Sequence, residues 1–387
     1  MSDPNRMLPP GAVLGVLGAG QLGRMFAEAA TRMGYRVHVY APDADGSPAA
    51  VHAERVVAAA WDDEAALQDF ARTCDAVTLE FENVPVAALD VVARHAPVRP
   101  GRRALTLAQD RIEEKQFLTS IGVPLGEWRP VLDATDAARA FQALGTRGIL
   151  KTARLGYDGK GQRRVASEAE AIAAWRELGE VACVLEAQVD LHAEVAIVVA
   201  RGVDGSLVTH PVIQTEHVNG ILDVATAPAA LDPATLEAAT HAARSVAEHL
   251  DLVGVTCLEC FVTHDGTVLA NEIAPRPHNS AHLTIEAAHT SQFEQQVRTL
   301  AGLPLGDPTL RQPAVMVNLL GEHLPSAEDE DGYRRALATP GVHLHLYGKQ
   351  EARTGRKMGH LPAVASDGAT ARQHALEARA ALRVARP

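Results

Sequence analysis

At 387 residues, 47% hydrophobic and 22% charged, the chain can bury substantial cores and exceeds one compact domain, so two or three domains are expected. A formal net charge of −12 argues against a nucleic-acid-binding face, which needs clustered cations, yet allows a locally basic pocket for a small phosphorylated ligand. No apolar run reaches membrane-spanning length and MSDPNRMLPPG has no signal-peptide core, so no membrane contact is expected and the cytoplasm is the expected compartment.

Ala12–Leu17 reads as a short apolar strand that breaks at Gly18 into a helix over Gln21–Met33. Strands follow at Tyr35–Tyr40, Val56–Ala60 and Ala76–Leu79, with Asp63–Arg72 helical, and this alternation predicts an open parallel sheet up to about Pro100. Beyond it come a helix over Thr106–Ile121 stopped by Gly122-Val-Pro124, a helix near Thr135–Leu144, and a strand over Gly148–Thr152. A glycine-rich loop leads to a helix over Ser167–Leu178 and strands at Ala182–Gln188 and Ala193–Arg201. Thr235–Leu250 is an amphipathic helix, a hairpin spans Thr256–Ile273, and Ser291–Ala301 is helical. After a linker at Gly306–Pro313 the chain is strand-rich before a last helix. The expected segments are 1–105, 106–305 and 306–387.

Gly18-Ala-Gly20-Gln-Leu-Gly23 fits G-x-G-x-x-G between a strand and a helix. Such glycines let the backbone approach a phosphate at a helix N-terminus, with Asp43 or Asp45 available for a ribose. A dinucleotide, another small ligand in the same crevice, and tight strand–helix packing all remain open, although Gln21-Leu22 in the turn disfavours a dinucleotide. Thr78-Leu-Glu80-Phe-Glu82-Asn83 ends a strand of that sheet, and alternation would place Glu80 and Glu82 on one face toward the crevice.

Lys151 ends a strand, and Gly156, Gly159 and Gly161 fall within the six residues Gly156–Gly161. Their backbone amides can wrap polyphosphate while Arg154, Lys160, Arg163 and Arg164 neutralise it; a flexible basic hairpin is the plainer alternative. No P-loop pattern occurs. Downstream, Asp265-Gly266 reads as a two-residue turn that pairs His264 with Thr267 and, counting outward, sets Glu259 opposite Glu272. Like charges so placed repel, and a bound cation or a shared proton would relieve them. Magnesium suits two carboxylates plus substrate phosphates; a glycosidase-like dyad and a structural pair remain as alternatives. Arg276, His278, Asn279, Ser280 and His282 then gather donors beside that pair. Lys349, Arg353, Arg356 and Lys357 form either a phosphate clamp or a solvated basic loop, and His343 and His345 read as packing or surface. Cys257 and Cys260 match C-x-x-C without a second pair, and residues three apart on a strand face opposite ways, so they read as buried thiols.

Together, Lys151, the lid GYDGKGQ, Glu186 with Glu194, and Glu259 with Asn271-Glu272 resemble an ATP-grasp enzyme. Within that superfamily, GAGQLGRM at 18–25, EFEN at 80–83, APRPHNSAH at 274–282 and YGKQEARTGRKMGH at 347–360 resemble the N5-carboxyaminoimidazole ribonucleotide synthetases of purine biosynthesis. The likeness runs from about Ala12 to His360. It implies an α/β (overall α+β) ATP-grasp fold with a Rossmann-like pre-ATP-grasp domain and a small strand-rich C-terminal domain. The implied activity is ATP-dependent carboxylation of 5-aminoimidazole ribonucleotide with bicarbonate, by a magnesium-dependent homodimer that uses two ions. By position, Arg111, Lys151 and the lid (Gly156, Tyr157, Asp158, Gly159, Lys160, Gly161, Gln162) would hold the ATP phosphates. Glu186, Ala187, Gln188 and Val189 would form the adenine hinge, Glu194 would take the ribose with His217 nearby, and Asn271 would complete the nucleotide site. Glu259 and Glu272 would bind magnesium. Gln21, Leu22, Glu82, Asn279 and Ser280 would face the ribonucleotide, whose phosphate would meet Arg276, Lys349 and Arg356. Tyr157, Asp158, Lys160, Arg276 and His278 are the implied catalytic residues. Lys160 stands where relatives often carry arginine, and Ala274 stands where many ATP-grasp enzymes have the asparagine of Glu-x-Asn.

Overall fold

In the computed structural model, which describes residues 6–156, 161–326, 329 and 331–383, the first β-α alternation makes a four-stranded parallel sheet. Its elements are β1 (Val13–Leu17), α1 (Gln21–Arg32), β2 (Arg36–Ala41), β3 (Arg55–Ala58), α2 (Glu64–Arg72), β4 (Ala76–Leu79) and α3 (Val86–Ala93), with strand order β3-β2-β1-β4. Every residue of β1 is buried, as a central parallel strand covered on both faces requires. One face packs against Leu22, Met25 and Phe26 of α1 together with Phe293 and Val297 from far along the chain; the other meets Phe70, Leu89 and Val92.

The single helix expected over Thr106–Ile121 is two, α4 (Arg102–Ala108) and α5 (Arg111–Ser120). Asp110 between them is extended (φ −138°, ψ 110°), and its carboxylate accepts the Ile112 and Glu113 N–H groups. An N-cap at that position overrides the continuous apolar pattern.

A small antiparallel sheet follows, built from β5 (Trp128–Val131), β6 (Gly148–Thr152), β7 (Gln162–Val165) and β8 (Cys183–Ala187) in the order β5-β8-β6-β7. Its core is shared with α6 (Ala134–Leu144) and α7 (Glu168–Glu177) through Leu144, Leu150, Trp175 and Leu185.

The nine-stranded sheet takes β9 (Leu191–Arg201), β10 (Leu207–Thr209), β11 (Ile213–Val218) and β12 (Ile221–Ala227), then, past α8 (Pro233–His249), the hairpin β13 (Gly254–Thr263) and β14 (Val268–Ala274). After α9 (Thr284–Ala287) and α10 (Gln292–Ala301), β15 (Ala314–Leu320) pairs with β12, so the sheet continues past the linker at 306–313. α11 (Gly332–Leu337), β16 (His345–Leu346), β17 (Lys357–Val364) and α12 (Gly368–Ala381) complete the chain. Cys257 and Cys260 lie in cores on opposite faces of β13, as strand alternation requires. Among the described residues no helix is long and apolar enough to cross a membrane.

Candidate active site

The hairpin brings Glu259 and Glu272 directly opposite one another, as expected, but by a different route. His264 does not pair with Thr267. The loop is one residue longer, with Thr263 N–H donating to Thr267 O at 3.0 Å and Gly266 at φ +84°, the three-residue turn that ends in a left-handed glycine. That shifts Val262 onto Val268 and Cys260 onto Ala270; a bulge at Asn271 then restores Glu259 to Glu272. The bulge also leaves the buried Oδ1 of Asn271 without a hydrogen-bond partner among the described residues. Burial first, then the Glu272 charge, pushes the Glu259 carboxyl up to about 7. Glu194 adds to that rise, and His217, whose Nδ1 lies 2.5 Å from Glu194 Oε2, opposes it. Burial lowers His217 less than Glu194 raises it.

Cations gather on the neighbouring wall. Glu186, at the end of β8, is held between Lys151 Nζ at 2.7 Å and Lys115 Nζ at 2.9 Å. Burial favours its neutral form, but the two ammonium groups outweigh burial and hold the carboxyl at about 2. Arg111 Nη2 reaches Glu272 Oε2 at 2.9 Å. Buried Glu114 accepts the Ile273 N–H at 2.5 Å, and burial followed by Glu272 raises its pKa. Lys115 and Glu114 are absent from the sequence-based site, although Arg111, Glu114 and Lys115 stand at i, i+3 and i+4 of one helix and share a face. Lys115 and Lys151 together carry one positive charge more than Glu186 balances, which suits a polyanion.

Gly156 and Gly161 close the base of the glycine loop: Thr152 N–H donates to Gly161 O at 2.9 Å, and Gln162 pairs with Lys151. Tyr157, Asp158, Gly159 and Lys160 lie outside the described residues. At the segment expected to form the hinge, the N–H groups of Ala187 and Gln188 donate to Glu127 O and Arg147 O, and Val189 is half-buried beside Gly126.

The glycine motif departs from expectation. β4 ends at Leu79, so Glu80 and Glu82 sit in the following bend and do not share a strand face. Glu80 turns into the Gly18–Gly23 loop, where Oε1 accepts the Gly20 N–H at 2.5 Å and Oε2 the Gly23 N–H at 2.7 Å. A Cβ on Gly18 would lie 2.1 Å from Glu80 Cγ. The glycines therefore admit this carboxylate at the place a dinucleotide phosphate would take. Leu22 is not a ligand-facing side chain: it packs into the N-terminal core, while Gln21 is half-exposed.

Glu82 instead pairs with Arg276, Nε to Oε2 at 2.5 Å, an attraction that exceeds the burial penalty and holds Glu82 at about 2. His278 Nδ1 lies 2.8 Å from Ser280 Oγ and Nε2 3.5 Å from Glu259 Oε1. Burial, then Arg276, lowers its pKa to about 3, so the ring is neutral. Both polar side-chain atoms of Asn279 are buried without partners among the described residues. Lys349 Nζ donates to Lys357 O at 2.8 Å, and Arg356 Nη1 to Glu351 O at 3.0 Å, which ties the basic loop to itself, and Gly348 lies against Arg24 of α1.

Three family models cover this arrangement: a ribonucleotide synthetase preATP-grasp domain over residues 12–109, an ATP-grasp domain over 116–293, and a phosphoribosylaminoimidazole carboxylase C-terminal domain over 314–374. An N5-carboxyaminoimidazole ribonucleotide synthase of Brucella melitensis is 47% identical over 356 residues, 92% of this chain and 96% of that one. Among solved structures, the ADP complex of an N5-carboxyaminoimidazole ribonucleotide synthetase superposes with a TM-score of 0.90 at 39% identity, covering 96% of this chain and 97% of that one. The Aspergillus clavatus N5-carboxyaminoimidazole synthase, solved with ADP and 5-aminoimidazole ribonucleotide, superposes with a TM-score of 0.86 at 30% identity, covering 96% and 99%.

Proposed function

Because the chain belongs to the N5-carboxyaminoimidazole ribonucleotide synthase family, we propose that it uses ATP and bicarbonate to carboxylate the 5-amino group of 5-aminoimidazole ribonucleotide, releasing ADP and phosphate, in purine biosynthesis. The observation that carries the chemistry is the Glu259–Glu272 pair facing the Lys115–Glu186–Lys151 cluster across Arg111. It offers oxygen ligands and cations side by side, the two things a transferring phosphoryl group needs.

Bicarbonate is a poor electrophile. Its oxygen attacks the γ-phosphorus of ATP, the bond to ADP breaks, and carboxyphosphate results. That species falls to CO2 and phosphate beside the amine, which adds to the carbon and loses a proton. Lys115, Lys151 and Arg111 bind and orient the polyphosphate, the departing phosphate takes that proton, and His278 stays neutral as a hydrogen-bonding group. A lid closed over the site would keep water from the intermediate.

Magnesium belongs to this proposal. Two opposed carboxylates, with the unpartnered buried Oδ1 of Asn271 next to Glu272 in the chain, offer hard oxygen donors that fit it, with Glu259 and Glu272 as the ligands. Bound there, the ion would supply charge neutralisation at the β- and γ-phosphates. Arg276, Lys349 and Arg356 receive the ribonucleotide phosphate, Glu82, Asn279 and Ser280 its other groups, and Tyr157, Asp158 and Lys160 the second substrate. The segments 1–105, 106–305 and 306–387, a homodimer and a cytoplasmic location complete the reading; sedimentation and cell fractionation test the last two.

Phosphate release measured with ATP, bicarbonate and 5-aminoimidazole ribonucleotide, each omitted in turn, tests it. Turnover is expected only with all three present. Release driven by glycinamide ribonucleotide with formate would instead favour a transformylase. Tight NADH binding without ATP binding would indicate an oxidoreductase, a reading the Glu80 carboxylate in the glycine turn already disfavours.

A further inference from the structure

The start of α1 is capped from sixty residues away. Gly20, the N-cap, supplies no side chain, and no other side chain of the helix caps it. The Glu80 carboxylate takes two of the orphan N–H groups, those of Gly20 and Gly23. The N–H groups of Gln21 and Leu22, between them, make no hydrogen bond among the described residues. A helix start of this kind attracts anions through these groups and its dipole. Here the two oxygens of Glu80 already occupy the N–H groups on either side. Immediately alongside, the basic loop brings Gly348, the neighbour of Lys349, against Arg24 of α1.

We propose that Glu80 sets the orientation of the ribonucleotide: by holding the anion position of the glycine turn, it turns the substrate phosphate toward Arg276, Lys349 and Arg356. The free N–H groups of Gln21 and Leu22 then meet an uncharged part of the same molecule. Without that carboxylate, the helix start would compete with the cations for a phosphate, and a phosphorylated ligand could seat either way round. Glu80 is thus a positioning residue that excludes both a dinucleotide and a reversed substrate. This rests on the ribonucleotide reading above.

The test compares wild type with Glu80→Ala, using 5-aminoimidazole ribonucleotide, ATP and inorganic phosphate as probes. In Glu80→Ala the KM for the ribonucleotide rises on the order of tenfold as two donors lose their acceptor, while the KM for ATP stays within about twofold, because Glu80 makes its hydrogen bonds to Gly20 and Gly23 and not to the residues proposed to hold ATP. Inorganic phosphate becomes competitive with the ribonucleotide at a concentration lower by on the order of tenfold than for wild type. Formate, small enough to replace the lost carboxylate, restores part of the ribonucleotide KM. Unchanged phosphate sensitivity together with no formate response overturns the proposal, as does a parallel rise in both KM values. If Glu80→Ala does not fold, Glu80→Gln fills the same space without charge, and a wild-type ribonucleotide KM there overturns it equally. Failure of wild type to consume the ribonucleotide would instead defeat the functional reading itself.

Discussion

Glu186→Gln is the substitution whose cost the structure specifies best. The Glu186 side chain is 11% exposed and lies between Lys115 Nζ at 2.9 Å and Lys151 Nζ at 2.7 Å. Glutamine keeps the shape and one acceptor but leaves two buried ammonium groups without a counter-charge. The fall from the ordinary 4.5 to about 2 in the folded protein corresponds to roughly 3 kcal/mol at neutral pH. Removing one partner of a buried ion pair costs about 3–5 kcal/mol by a separate route, and a domain holds only about 5–15 kcal/mol in total. Because the folded-state value is depressed, this stabilisation is complete above the unfolded-state pKa of about 4.3 and disappears as pH falls toward about 2.

Urea unfolding at neutral pH should therefore place Glu186→Gln about 3 kcal/mol below wild type. Lys115→Met leaves the Lys151 pair in place and should cost less, about 1–2 kcal/mol, while raising the KM for ATP. The double variant should be no less stable than Glu186→Gln alone, since removing Lys115 relieves one of the stranded charges. A Glu186→Gln protein within about 1 kcal/mol of wild type, or a double variant showing the full sum of both losses, would refute the reasoning.

Glu272→Gln should reduce ATP- and magnesium-dependent phosphate release by at least about a hundredfold; near-normal turnover would remove the opposed carboxylates from the mechanism. Glu259, raised to about 7 in the folded protein, contributes stability below its unfolded-state pKa that is lost as pH rises through about 7. Added magnesium should accordingly raise the melting temperature more near pH 8 than near pH 6; equal shifts would count against Glu259 as the coupled group. Gln292, fully buried, accepts the His278 N–H at 2.8 Å, and its amide donates to His278 O at 2.9 Å and contacts His282 Nδ1 at 3.0 Å. Gln292→Leu should cost about 2–4 kcal/mol in urea unfolding, with Gln292→Glu recovering the acceptor half; equal losses in both would assign the role to packing alone.

The strands and helices with clear periodicity were legible in sequence, and β4, for example, spans the expected Ala76–Leu79. What was hidden depended on partners far along the chain. Val86–Ala93 is apolar on nearly every side, so it has no helical stripe to read, and it folds as α3 because both Phe70 and Leu105 lie against its core. The split between α4 and α5 rests on one capping aspartate. β11 and β12 acquire their strand character from neighbours in the large sheet. In the site, the opposition of Glu259 and Glu272 was readable because two one-residue offsets cancel: a longer turn and the Asn271 bulge. The bulge itself was not, since a strand register with no partner yet assigned gives no sign of an extra residue.

The glycine turn shows why a motif needs its partner to have a meaning. The three glycines of Gly18–Gly23 state only that something approaches the backbone closely at a helix start, and a phosphate and a carboxylate make the same demand. The choice between them lies at Glu80, at the end of the neighbouring strand. Asp43 and Asp45, at the end of β2, are where a ribose-binding acid would be sought, but they do not decide the matter, because an acid there leaves the phosphate position open. An acid one residue past β4 can fill it, and Glu80 does so with both oxygens. The fingerprint and the EFEN segment are therefore one structural unit in two pieces: the turn supplies donors, Glu80 cancels its appetite for anions, and Glu82 two residues later pairs with Arg276.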